Sequence, residues 1–195
     1  MEKLHIMFEE CGLEKGHKVA ICSRNQANWA VTFLAIMTYG AVPVPLLHEF
    51  KSANIHHLVN HSEAKILFVD DVIWEGLSES EMPDLQAIIQ VNTFKILYAA
   101  DERIVKAKNH LNELFGRKYP EAFEPQMLDY YEDSEDELAV INYTSGTSGF
   151  SKGVMIPYRA ILSNLQFAKK VLPQLNDKSR VVSMLPCAHM YGLMF

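Results

Sequence analysis

At 195 residues and 49% apolar side chains, the chain is long enough to bury one sizeable core. A formal net charge of −6 argues against nucleic acid as a general partner. The three cysteines, Cys11, Cys22 and Cys187, are far apart and form no C-x-x-C pair. They exclude a disulfide scaffold and point to a reduced, cytoplasmic protein, and no basic-then-apolar leader opens the chain.

Taken in order, the sequence alternates strand and helix signals. Residues 19–22 are a short continuous apolar run, as in a strand covered on both faces. Asn25 is a candidate cap for a helix over about 26–39, and Gly40 is its stop. Trp29, Phe33, Ile36 and Met37 fall on one face of that helix. Residues 29–47 carry no charge and so imitate a membrane span. The helical part would be roughly 20 Å long at 1.5 Å per residue, whereas a bilayer core needs about 30 Å. A buried helix followed by a strand is the expected outcome.

Residues 42–46 form a second extended run, and Pro43 and Pro45 place it at a sheet edge or a strand start. Residues 52–61 suit a helix and 66–69 a third strand. Further strands are expected at 87–91 and 96–98. A helix is expected over about 101–115, with Glu102 and Lys106 as an i,i+4 pair. His57 and His61 are one helical turn apart, close to His56. No H-E-x-x-H accompanies them, so a helix surface is the simpler reading than a metal site. From residue 119 to 151 there is no Lys or Arg but eight acids, six of them within 129–137. That segment reads as a solvated linker between a first portion, 1–128, and a second, 138–195. In the second portion Pro157 opens a helix whose buried stripe would be Ile161, Leu165, Ala168 and Leu172.

The chemistry concentrates in residues 142–154, N-Y-T-S-G-T-S-G-F-S-K-G-V. An apolar run, 138–141, leads into them as a buried strand. Glycines let backbone N–H groups turn toward an anion. The hydroxyls of Thr144, Ser145, Thr147 and Ser148 add donors, and Lys152 adds a mobile positive charge. The competing interpretation is a flexible Gly/Ser turn between strands. Walker A fails, because Lys152 is followed by Gly153 rather than Ser or Thr. The dinucleotide fingerprint fails too, because Gly146 and Gly149 are three apart with no glycine between them.

The stretch resembles the signature loop of the adenylate-forming enzymes, which include acyl-CoA synthetases, luciferases and peptide-synthetase adenylation domains. Their pattern is approximately Y-T-S-G-[ST]-T-G-x-P-K-G-V. Tyr143, Thr144, Ser145, Gly146, Thr147, Gly149, Lys152, Gly153 and Val154 match it. Ser148 replaces the usual Thr and keeps the hydroxyl. Ser151 replaces the usual Pro and loses some stiffness. Asn25, Trp29, Gly40, Ala41, Val42, Val44, Pro45 and Leu46 resemble an earlier block of the same family, with a packing role. Residues 184–192 are similar to its strand ending in L-P-x-x-H.

The resemblance implies an α/β domain with a mostly parallel sheet covered by helices, part of the large N-terminal domain of an acyl-CoA synthetase-like fold. It implies that Thr144, Ser145, Gly146, Thr147, Ser148, Gly149 and Lys152 hold the phosphates of ATP. It also places His189 between the nucleotide and acyl pockets, as a catalytic-site residue that positions or gates the carboxylate. ATP, Mg2+ and coenzyme A are the implied cofactors, and a carboxylic acid, most like a fatty acid, is the implied substrate. The family's adenine, Mg2+ and ribose segments and its catalytic lysine have no counterpart in these residues. An N-terminal portion of a ligase is therefore expected, inactive by itself and able to self-associate through uncovered apolar surface. A peptide-synthetase module, an acyl-carrier-protein ligase and a non-catalytic binding domain are the alternatives.

Overall fold

After Lys18 the run V-A-I-C offers no polar side chain to either face, and it forms β1 (Lys18–Cys22), buried from Val19 onward. In the computed structural model the described residues are 1–128, 130–144, 151–176, 178–182, 184–190 and 192. β2 (Val42–Leu46) and β3 (Ala64–Val69) flank β1 in parallel. β4 (Ala87–Gln90) runs parallel to β3, and β5 (Ile96–Ala99) closes the sheet antiparallel to β4. The order is β2-β1-β3-β4-β5. A parallel sheet needs cover on both faces, and continuous apolar strands supply both at once.

One face presents Val19, Ile21, Ile66, Phe68 and Ile89. It is covered by α1 (Glu2–Glu10) through Leu4, Met7 and Phe8, and by α2 (Ala27–Tyr39) through Trp29, Phe33 and Ile36. α5 (Glu102–Asn109) adds Ile104 and Ala107. The other face, with Ala20, Cys22, Leu67, Val69 and Ile88, lies under Ile55, Leu58 and Val59 of α3 (Ser52–His61), with Met82 and Leu85. The short α4 (Asp71–Trp74) follows β3. Burial raises the thiols of Cys11 and Cys22 to about 12, which leaves them unreactive packing groups.

β2 is the outer strand of this sheet, as its prolines require. Pro43 and Pro45 alternate, so both missing donors fall on the same edge, away from β1. The amide of Val42, on the other edge, donates to the His17 carbonyl at 2.8 Å. Against β2 lies β6 (Leu138–Thr144), yet β6 forms its ladder only with β7 (Lys152–Pro157), antiparallel. The prolines thus separate the described strands into a five-stranded sheet and a two-stranded one.

Several local expectations need correction. α1 was not anticipated, although Leu4, Met7, Phe8 and Cys11 have helical spacing and are buried. Gln26, in an extended conformation, precedes α2 where Asn25 was expected to cap it. Gly40 does end α2, in the left-handed region at φ 84°. A side chain there would also collide with the Tyr131 ring, 2.8 Å from the position of a Cβ. The helix expected over 101–115 is two helices, α5 and α6 (Leu111–Lys118), divided at His110 with φ −102° and ψ 16°. α5 lies against β5 and α1, and α6 turns onto α1. The Glu102–Lys106 pair exists at 3.5 Å, with both ends in solvent.

α7 (Tyr158–Val171) starts after Pro157 as expected, but its stripe is not buried: Leu165 is 48% exposed, and Ile161, Ala168 and Leu172 are only partly covered. The acidic segment is tethered rather than wholly free. Glu137 accepts from the Tyr131 hydroxyl at 3.0 Å and pairs with Lys15 at 3.3 Å, and Asp136 pairs with Arg159. Among the described residues no helix is long and apolar enough to cross a membrane.

Candidate phosphate-binding site

The strand leading into the Ser/Thr/Gly run is buried from Ala139 to Tyr143 and reaches solvent at Thr144. Its partner begins at Lys152, and the ladder pairs Thr144 with Lys152, Tyr143 with Gly153 and Asn142 with Val154. The two ends of the motif therefore face one another across a strand pair, with a hydroxyl on one side and an ammonium on the other. Both residues are exposed, and Lys152 has no ion-pair partner among the described residues. Ser145, Gly146, Thr147, Ser148 and Gly149, also expected to contact phosphate, lie outside the described residues.

Two contacts fix the base of this hairpin. A Cβ on Gly153 would stand 3.2 Å from the Tyr143 ring, so glycine lets the ring lie over the facing strand. The Tyr143 hydroxyl meets Nδ1 of His61 at 2.7 Å, tying the hairpin to α3. Burial pushes the Tyr143 phenol up, so it remains protonated and able to donate. His61 is thus committed to a tyrosine rather than to His57, whose ring centroid is 5.8 Å away. His56 accepts from the Ser78 amide at 3.1 Å. Among the described residues no group of three His, Cys, Asp or Glu is placed to hold a metal.

His189 is exposed, and its backbone amide donates to the Pro186 carbonyl at 2.9 Å. The segment that carries it is held from both sheets. The Asn25 side chain donates to the Leu185 carbonyl and accepts from the Cys187 amide, both at 2.7 Å. From β6, the buried Asn142 donates to the Ala188 carbonyl at 3.0 Å. His189 is one residue beyond that anchor, and Thr144 is two residues beyond Asn142. Long-range hydrogen bonds from two asparagine side chains thus bring the histidine segment to the strand that enters the Ser/Thr/Gly run. Sequence reasoning missed Asn25 and Asn142 as the anchors. Asn142 had a legible signal, an amide inside an otherwise apolar strand, since a buried amide needs a partner. The His61–Tyr143 link had none.

A separate crevice of about 350 Å³ opens beside the carboxyl ends of β1 and β3, lined by Arg24, Gln26, His48 and Asp70 among others. Its Asp70 carboxylate is already satisfied by the Arg24 amide at 2.8 Å and the Gln26 side chain at 2.9 Å. None of the sequence-predicted site residues lines it.

A mostly parallel sheet clad in helices, joined to a hairpin that carries a Ser/Thr/Gly/Lys motif, is the architecture of the N-terminal domain of adenylate-forming enzymes. The family model described as AMP-binding enzyme matches residues 3–195, and the chain belongs to that family. It is 30% identical to long-chain-fatty-acid–CoA ligase 5 of Rattus norvegicus, over 93% of this chain and 28% of that protein. It is 28% identical to long chain acyl-CoA synthetase 1 of Arabidopsis thaliana, over 94% of this chain and 28% of that protein. The chain thus spans little more than a quarter of the length of these relatives. Among solved structures it resembles a long-chain-fatty-acid–CoA ligase of Archaeoglobus fulgidus, with a TM-score of 0.71 at 23% identity, over 99% of this chain and 35% of that one. ATP-bound MatB of Rhodopseudomonas palustris gives a TM-score of 0.74 at 20% identity, over 98% and 34%. At these identities the two structures establish the fold.

Proposed function

We propose that these residues form the phosphate-holding part of an ATP-dependent acid–thiol ligase. It activates a carboxylic acid, in the first place a fatty acid, to an acyl-adenylate and passes the acyl group to coenzyme A. The observation that carries this reading is the cross-strand facing of Thr144 and Lys152 in a chain of the AMP-binding family. ATP supplies the activated phosphoanhydride. A carboxylate oxygen forms a bond to the α-phosphorus as pyrophosphate leaves, and the thiolate then displaces AMP from the acyl carbon. The motif hydroxyls and Lys152 hold the β- and γ-phosphates, where charge builds as the anhydride breaks. His189, set next to the loop strand by Asn142, positions the carboxylate.

The residues present fit the anionic end of ATP, an exposed hydroxyl and an unpaired ammonium at one hairpin end. For Mg2+ they supply no arranged ligand set among the described residues, and no step here uses the metal. A carrier-protein thiol in place of coenzyme A, or a binding role without catalysis, would use the same fold. Because the chain spans 28% of its relatives' length, we propose that residues 1–195 alone bind ATP weakly and do not adenylate. We also propose that they reside in the cytoplasm and self-associate through the open face of α7.

The test is acid-dependent ATP–pyrophosphate exchange with short and long fatty acids, run on residues 1–195 and on the longest reading frame that contains them. In the longer protein, Lys152→Ala should lower exchange by removing a charge-assisted contact, about 1.5–3 kcal/mol. Exchange unchanged by that substitution would count against Lys152. Robust exchange by residues 1–195 alone would overturn the inactivity.

A further inference from the structure

A cavity of about 200 Å³ lies beneath α1, away from the hairpin and the histidine segment. Its apolar lining includes Leu4 and Met7 of α1, Val31 of α2, Ile89 of β4, and Phe94. Apart from Lys3 and Lys108, every lining side chain is apolar. An apolar cavity of this kind would ordinarily be closed by another hydrophobic group or by a lysine stem with its charge in water. Here two ammonium-bearing side chains meet at the same cavity, and only one of them is occupied.

Lys3 donates to Asn112 Oδ1 at 2.7 Å and lies over the Phe115 ring at 5.4 Å. Lys108, on α5, is half-buried, and among the described residues no carboxylate pairs with it. Partial burial, and then repulsion from Lys3, hold its ammonium below the usual lysine range. Carboxylates of α1, α5 and α6 pair with other groups: Glu2 with His5 at 3.1 Å, Glu9 with Lys118 at 3.1 Å, Glu102 with Lys106 at 3.5 Å and Glu113 with His110 at 3.3 Å. A half-buried cation with no counter-ion among the described residues, beside an apolar cavity, is a local imbalance that an amphipathic anion would relieve at both ends.

We propose that this cavity binds a medium-chain carboxylate, with its tail among Met7, Val31 and Ile89 and its headgroup on Lys108. The volume is below the roughly 300 Å³ at which ordinary ligand pockets begin, so a tail of several carbons fits and a long acyl chain does not. This site shares no residue with the phosphate loop or with His189. It would answer to the concentration of free carboxylate independently of whether the protein turns that compound over.

The experiment is a titration of residues 1–195 with sodium octanoate, followed by methyl NMR and by calorimetry. Octanol and acetate serve as probes lacking the charge and the tail. Saturable octanoate binding should perturb the methyls of Met7, Val31 and Ile89. Octanol should bind at least about tenfold more weakly, and acetate should not bind measurably. Lys108→Gln, on a half-exposed helix position that need not disturb folding, should weaken octanoate by about tenfold, the loss of one charge-assisted contact. The proposal is overturned by any of three results. These are the absence of saturable binding, equal affinity in Lys108→Gln, and perturbation of the Leu162 and Leu165 methyls in place of the cavity methyls, which would mark amphiphile adsorption on the open face of α7.

Discussion

The five-stranded sheet and the portion from β6 onward have similar fractions of apolar side chains, yet they bury different shares of them. Every strand residue from Val19 to Cys22 and from Val42 to Leu46 is buried, with helices on both sides. In the second portion α7 has no buried residue, and Val182 and Met184 are more than 80% exposed. The first portion thus supplies most of the two apolar clusters, to which Ala139, Val140, Ile141, Tyr143 and Ile156 of the hairpin also belong. The second adds long-range polar contacts to the buried strand β6: Tyr143 to His61, Asn142 to Ala188, and Asn25 to the 185–187 backbone. The two regions meet where β6 lies against β2.

This division can be broken most severely in the core. Phe68 is fully buried and packs edge-on against Phe8 at 6.2 Å and Phe94 at 6.4 Å. Phe68→Ala should cost about 3–5 kcal/mol in denaturant unfolding, through lost burial plus the cavity left behind. A loss below about 1 kcal/mol would mean that the sheet is not the stabilising unit.

A smaller effect is expected where the regions join. Asn142→Ala removes the donor to the Ala188 carbonyl and leaves that acceptor buried and unpaired, about 1–3 kcal/mol. Its consequence should be local. Limited proteolysis within 184–190 should accelerate while the unfolding midpoint of the main sheet moves little. If cleavage there keeps its wild-type rate, Asn142 is not the anchor.

The role of His189 separates presentation from packing. In an active longer protein, His189→Ala should raise the KM for the acid by roughly tenfold, near 1.4 kcal/mol. The apparent affinity for ATP should be retained. Equal loss of both, together with loss of folding, would assign His189 to structure instead.

Different kinds of signal made the two regions legible. Strands β1 to β5 could be read because a continuous apolar run bounded by turns has few other solutions, and because Pro43 and Pro45 can sit only at an edge. Gly40 could be read because a helix stop needs the left-handed region. In the hairpin the apolar run 138–141 made β6 legible, whereas the motif that follows carries no information about what holds it. Asn25 looked like a helix cap because Asn caps helices, but its amide serves a backbone 160 residues further on. His61 is exposed on its helix as expected, and only its bond to Tyr143, 82 residues away, left no trace in the sequence. The α7 stripe failed because periodicity shows which face is apolar and not whether anything covers it.

That last point leads to the smallest expected effect. Leu165 is 48% and Phe167 56% exposed on α7. If the second portion draws little stability from this helix, Leu165→Gln and Phe167→Ser in residues 1–195 should each change unfolding free energy by no more than about 0.5 kcal/mol. Removing the same side chains from the core would cost several times more. The substitutions should act on association instead, because exposed apolar side chains on more than one side of a helix favour contact between copies. Sedimentation of the wild-type chain should show a concentration-dependent dimer or larger species that the double substitution reduces. A loss of 2 kcal/mol or more would show that these side chains of α7 are packed in solution. Unchanged stability with unchanged sedimentation would place the self-association surface elsewhere and leave the comparison of the two regions intact.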